Sequence, residues 1–103
     1  MANYVLAYHG GKMPETPEEG AKVMEQWNVW IKGLGDSMVD PGNPVGMSKT
    51  VSAKGVTNDG GANPLSGFSI VKAESIDQAI EFGKGCPQLD AGGTIEVAEV
   101  IEM

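Results

Sequence analysis

The sequence contains no arginine, one histidine and one cysteine in 103 residues. Without arginine there is no planar guanidinium to clamp a carboxylate or phosphate through two parallel hydrogen bonds. The cations are Lys12, Lys22, Lys32, Lys49, Lys54, Lys72 and Lys84, scattered among 14 acids, and the net charge is -7. Nucleic acid requires a basic patch, and anionic membrane surfaces attract polybasic segments. Neither is expected as a partner. The single cysteine, Cys86, leaves no internal disulfide and fits a reducing compartment. One histidine and one cysteine do not make a zinc site, and no run of carboxylates has calcium-loop spacing. No phosphate loop is present, because Gly33-Leu34-Gly35 ends a helical pattern instead of opening one. No serine lies in a nucleophile elbow. The expectation is therefore no metal and no cofactor. The opening Met1-Ala2-Asn3-Tyr4-Val5-Leu6-Ala7-Tyr8 has neither a basic leader nor a long apolar run. It reads as a strand, not as a signal peptide or membrane span, and a cytoplasmic location is expected.

What is present is ordinary globular material, 41% apolar and 20% charged, of a length that suits one domain over residues 1–103. Tyr4 to His9 is rich in β-branched and aromatic residues and reads as the first strand. Gly10-Gly11 ends it. Thr16 is a good N-cap, Pro17 suits the first helical position and Glu19 completes a capping box. The apolar stripe Met24, Trp27, Ile31, Leu34 then has helical spacing, with Val23 and Trp30 widening it. Gly35 stops the helix. A second strand begins near Val39 and is broken by Pro41-Gly42-Asn43-Pro44. Residues 45–52 alternate loosely and either continue it or form a hairpin arm. From Gly55 to Gly67 the composition predicts a turn or mobile loop.

Phe68 to Ala73 reads as a strand. Ser75 caps a second helix with Gln78 at its third position, and Ile76, Ala79, Ile80 and Gly83 share a face. Lys84 suits the dipole at its end, and Gly85 stops it. Cys86 to Gly93 is a connection, and Thr94 to Glu102 alternates as the last strand. This order predicts an α+β, ferredoxin-like (split βαβ) domain, an antiparallel sheet with two helices on one face. In the first strand Tyr4, Leu6 and Tyr8 point one way, and Val5, Ala7 and His9 the other. Both faces of several strands are apolar. A monomer would expose the second face, which soluble monomers avoid, so a homodimer covering it sheet to sheet is expected.

Several segments resemble the YCII-related (DGPF-type) family across nearly the whole chain. They are Tyr4-Val5-Leu6-Ala7-Tyr8-His9-Gly10-Gly11, the helical run ending in Gly35, Gly67-Phe68, Ser75-Ile76-Asp77-Gln78-Ala79, Cys86-Pro87, Gly92-Gly93 and Glu96-Val97. The order and spacing carry the likeness more than any one motif. The resemblance implies the dimeric α/β-barrel fold, and for some members lyase-like or dehydrochlorinase-like chemistry through a His-Asp pair. Here the position of that histidine falls at Met24 and that of the aspartate at Cys86, so the pair does not carry over. Of the Asp-Gly-Pro-Phe signature only Asp59-Gly60 remains.

Two candidate sites follow. His9 ends the first strand beside a Gly-Gly turn and is the only side chain whose ordinary titration lies near neutrality. Asp40 would orient it as a general base if the first two strands are neighbours. Against this, His9 could simply bond backbone, and Asp40 could cap its own turn. The second candidate is an apolar cleft between the first helix and the sheet, lined by Met24, Trp27 and Phe68, with Trp30 nearby and Cys86 at its edge. Cys86 follows a helix instead of starting one, so no dipole activates its thiol. Three readings stand: a dimeric small-molecule-binding module, a lyase or isomerase using His9, and a purely structural or interaction dimer.

Overall fold

The computed structural model describes residues 1–103. The order of elements is β1 (Ala2–His9), α1 (Pro17–Leu34), β2 (Met38–Asp40), β3 (Thr50–Ser52), β4 (Gly55–Thr57), β5 (Leu65–Ala73), α2 (Ile76–Lys84), α3 (Pro87–Asp90) and β6 (Thr94–Glu99). The main sheet is antiparallel with strand order β2-β5-β1-β6. β1 and β2 flank β5, so the β1–α1–β2 unit is split by a strand that arrives later. This is the ferredoxin-like arrangement, and it separates β1 from β2 by a full strand.

The helix boundaries follow local chemistry. The Glu19 amide donates to Thr16 Oγ1 at 3.1 Å, and the Glu19 carboxylate accepts from the Glu15 amide at 3.0 Å. Ser75 and Gln78 repeat the device on α2, where the Glu74 amide donates to Gln78 Oε1. In both, the carboxylate or amide reaches the residue before the cap, one earlier than the usual box. The packed stripe of α1 is Trp27, Trp30, Ile31 and Leu34, with Val23 half-buried one turn earlier. Met24, expected on that stripe, is 61% exposed, and Trp30 is the one fully packed residue of the helix. On α2 the core takes Ala79 and Gly83, with Phe82 packed beside them, while Ile76 and Ile80 stay partly exposed, at 45% and 38%.

The core lies between the helices and one sheet face, around Tyr4, Leu6, Tyr8, Val71, Ala73 and Cys86. Strand pleat puts Val5, Ala7 and His9 on the opposite face. Beside them stand Phe68 and Ile70 of β5 and Glu96 and Ala98 of β6. No helix covers this side.

Three other expectations change. The stretch Gly55 to Gly67 is not one loop, because it holds β4 and the start of β5. The last strand stops at Glu99, and only the Val100 amide, donating to Asn3 O at 2.8 Å, continues its ladder. The connection after Cys86 contains the single helical turn α3, with Pro87 at its first position.

Gly42 is needed where β2 turns over β5. It sits at φ +68, and a Cβ there would strike the Phe68 carbonyl. Asp40 Oδ1 accepts from its amide at 2.8 Å and closes the turn. Gly42→Ala is expected to lower unfolding free energy by about 2 kcal/mol, from the left-handed backbone and the forced shift of the loop. Urea denaturation checks this. A Gly46→Ala variant, at a site open to solvent, should change it by no more than about 0.5 kcal/mol.

Candidate functional site

At the helix-side end of β1 a line of polar atoms runs through the core. The Tyr8 hydroxyl donates to Ser69 Oγ at 2.6 Å, and Ser69 Oγ donates to the Pro41 carbonyl at 2.7 Å. The Cys86 thiol lies against the same Tyr8 hydroxyl. Each member is satisfied by the next, which is why three polar groups tolerate almost complete burial. Desolvation raises both acids. Burial pushes the Cys86 thiol up to about 11, with the Asp90 charge adding to the rise while bonds from the Gln88 backbone and Tyr8 oppose it. Burial likewise lifts the Tyr8 hydroxyl well above its ordinary value, offset in part by the Ser69 bond. Near neutral pH Cys86 is therefore a thiol, and it is neither a nucleophile nor a base.

Aromatic rings pack beside this line of polar atoms. Trp27 meets Tyr8 edge to face at 5.3 Å and Trp30 at 5.6 Å. Trp30 donates its indole N–H to Phe82 O at 2.9 Å, so it is anchored at both ends. Trp27 is half-buried, and no acceptor of the chain meets its N–H. Met24, one turn earlier on α1, flanks it in the open. Of the apolar quartet expected here, Met24, Trp27 and Cys86 lie on the helix side. Phe68 does not join them. Its strand neighbours Gly67 and Ser69 point to the core, so pleat sends Phe68 to the uncovered face.

His9 also lies on that uncovered face, in a different setting from the one expected. β5 separates β1 from β2, and Asp40 pairs with Ile70 while His9 pairs with Leu65. The two side chains are not brought together, and Asp40 closes its own turn. The carboxylate beside His9 is Glu96, with Nε2 to Oε1 at 3.1 Å. Nδ1 faces the Asn63 carbonyl at 3.0 Å. Both ring nitrogens thus meet acceptors.

Sequence reasoning missed Glu96, although it was findable. It falls on the same face as His9 in an antiparallel β1–β6 pair. It also missed Gln88, which is 8% exposed. Its amide nitrogen donates to His9 O at 3.0 Å and Gly10 O at 3.2 Å, tying the end of β1 to α3. No local pattern marks a glutamine that bonds carbonyls nearly eighty positions away.

A family model for the YCII-related domain matches residues 4–103. The chain belongs to the YCII-related family. No curated protein matches it. Among solved structures, the YCII-related chain is similar to 5-chloro-2-hydroxyhydroquinone dehydrochlorinase from Burkholderia phenoliruptrix AC1100, in its complex with 2,5-dihydroxybenzoquinone. The TM-score is 0.56 at 18% identity, and the match covers 96% of this chain and 95% of that one. At that identity the likeness shows a shared fold.

Proposed function

We propose that this YCII-related chain is a homodimeric small-molecule-binding module, with its site on the surface of α1 at Trp27. The observation that carries this reading is the half-exposed Trp27 indole, rigidly seated edge-on against Tyr8 and Trp30. A rigid, partly exposed aromatic face stacks planar organic molecules. Met24 beside it is apolar, and Cys86 is a buried neutral thiol, so neither offers an acid–base group to a bound molecule. The fold neighbour's quinoid ligand motivates flat, oxygenated rings as the first class to try.

Thermal shift and tryptophan fluorescence with 2,5-dihydroxybenzoquinone and simple aromatic and aliphatic acids test this. A binder should raise Tm and quench emission in the wild type, and Trp27→Ala should weaken binding by about tenfold or more, the ~1.4 kcal/mol scale of one good aromatic contact. No stabilisation by any of these compounds would sink the binding reading.

The His9–Glu96 contact supports a second reading, a lyase or isomerase in which Glu96 swings off Nε2 to free a base. Glu96 is 72% exposed on its side chain and able to move. Activity retained in His9→Ala removes that reading.

The homodimer rests on surface area. A folded monomer of 10.8 kDa is expected to expose about 5,500 Å². This chain exposes 7303 Å². The excess is on the scale of the ~800 Å² or more that each partner of a stable complex covers.

A further inference from the structure

We infer that residues 45–64 form an arm that clasps a second copy of this chain, an inference that rests on the homodimer proposed above. β3 and β4 pair only with each other and form no part of the main sheet. All of their residues are exposed. Val51 and Val56 stand directly opposite each other on the ladder, 78% and 61% exposed, and Met47 is fully exposed nearby. A lone two-stranded hairpin is marginal in water, and a valine pair left in solvent adds nothing through burial. A surface that covers the pair stabilises both the ribbon and its docking.

The arm is held out from the body by its root. The Val45 amide donates to Ser66 O at 3.0 Å, and Pro44 bridges Gly67. Further along, Thr50 Oγ1 donates to Asp59 O at 2.7 Å. The ribbon thus prolongs the β2–β5 edge beyond the His9 end of the sheet. The radius of gyration is 14.7 Å, against about 13 Å for a compact chain of this size. The overall shape is flat, 43 × 43 × 18 Å. An arm continuing the edge of a sheet whose face is itself uncovered reaches around whatever packs on that face.

Charge selects the occupant. The arm carries Lys49 and Lys54 against a single acid, Asp59. It is therefore +1, which leaves -8 for the rest of a chain whose net charge is -7. A basic arm on an acidic body is complementary to another copy of the same body. The second copy also supplies the missing cover for the sheet face in the same act, through a closed twofold contact.

The experiment is light scattering coupled to size exclusion, with dilution to obtain Kd. It compares the wild type with V51D/V56D and K49E/K54E. The wild type should be dimeric at about 10 µM, within the micromolar range of modest interfaces. Both double variants should weaken dimerisation by about tenfold or more. The main sheet and helices of both variants should stay folded, with unchanged thermal unfolding of the monomer, because all four side chains lie in solvent away from the core. Salt at about 0.5 M should weaken the wild-type dimer and weaken K49E/K54E less. A dimer with wild-type affinity in either double variant overturns the clasp and leaves the dimer standing. A monomeric wild type overturns both.

Discussion

Trp30→Ala should lower unfolding free energy by about 3–5 kcal/mol and Tm by roughly 15 °C or more, close to the whole stability of a domain this small. Trp30 is the only α1 residue fully packed into the core. Truncation removes the largest apolar surface that holds the helix to the sheet and opens a cavity that the fold cannot close. It also strips the indole donor from Phe82 O and the edge contact from Trp27. Trp27 then loses its support, so ligand binding should fall even in the folded fraction. Trp30→Phe separates volume from hydrogen bonding. It keeps most of the packing and should cost only about 1–2 kcal/mol. Equal losses for the two variants in urea denaturation would show that the bond to Phe82 dominates over the packing.

Stability should also fall at alkaline pH, and the sign follows from burial. In the unfolded chain the thiol of Cys86 titrates near its ordinary value of 9.0, whereas in the folded protein it holds its proton to about 11. Below pH 9 both states are protonated, and the contribution of the neutral buried thiol is fully present. Between these values the unfolded state binds fewer protons, so unfolding free energy falls as pH rises. The total loss is about 2–3 kcal/mol for a shift of this size. Tyr8, also raised by burial, extends the decline to higher pH. Denaturation at pH 8, 9.5 and 11 measures it. Cys86→Ala should flatten the decline between pH 9 and 11 whatever its effect on packing. An unchanged slope in that variant would refute the assignment. The same burial predicts a native thiol that reacts with a disulfide reagent only after denaturation.

The elements themselves were legible because their signals are local. Thr16, Pro17 and Glu19 open α1 and Gly35 closes it, each through contacts within a few residues. The alternation of Tyr4, Leu6 and Tyr8 with Val5, Ala7 and His9 is a property of any pleated strand, and it foretold a core face and an uncovered face. The exact stripe of α1 was less secure. Met24 and Val23 are both apolar neighbours, and only the tertiary fold half-buries Val23 and leaves Met24 exposed.

The candidate site divides along the same line. Trp27 and Cys86 were readable as cleft residues because one sits on a helix stripe and the other follows a helix end. Phe68 was misplaced because its face depends on which parity of β5 meets the helices. The pairing of His9 with Asp40 presumed adjacent strands. In the fold β5 lies between β1 and β2, and the carboxylate beside His9 comes from β6.

By itself, then, the sequence determined the absence of clamps and disulfides, the caps, the strand alternation and the two-sided sheet. These depend on residue chemistry and on periods of two and 3.6. Only the tertiary structure decided strand order, the Cys86–Tyr8–Ser69 line and the Gln88 tie. Each joins residues far apart in the chain, and the interactions that select among such pairings act only once the chain has closed on itself.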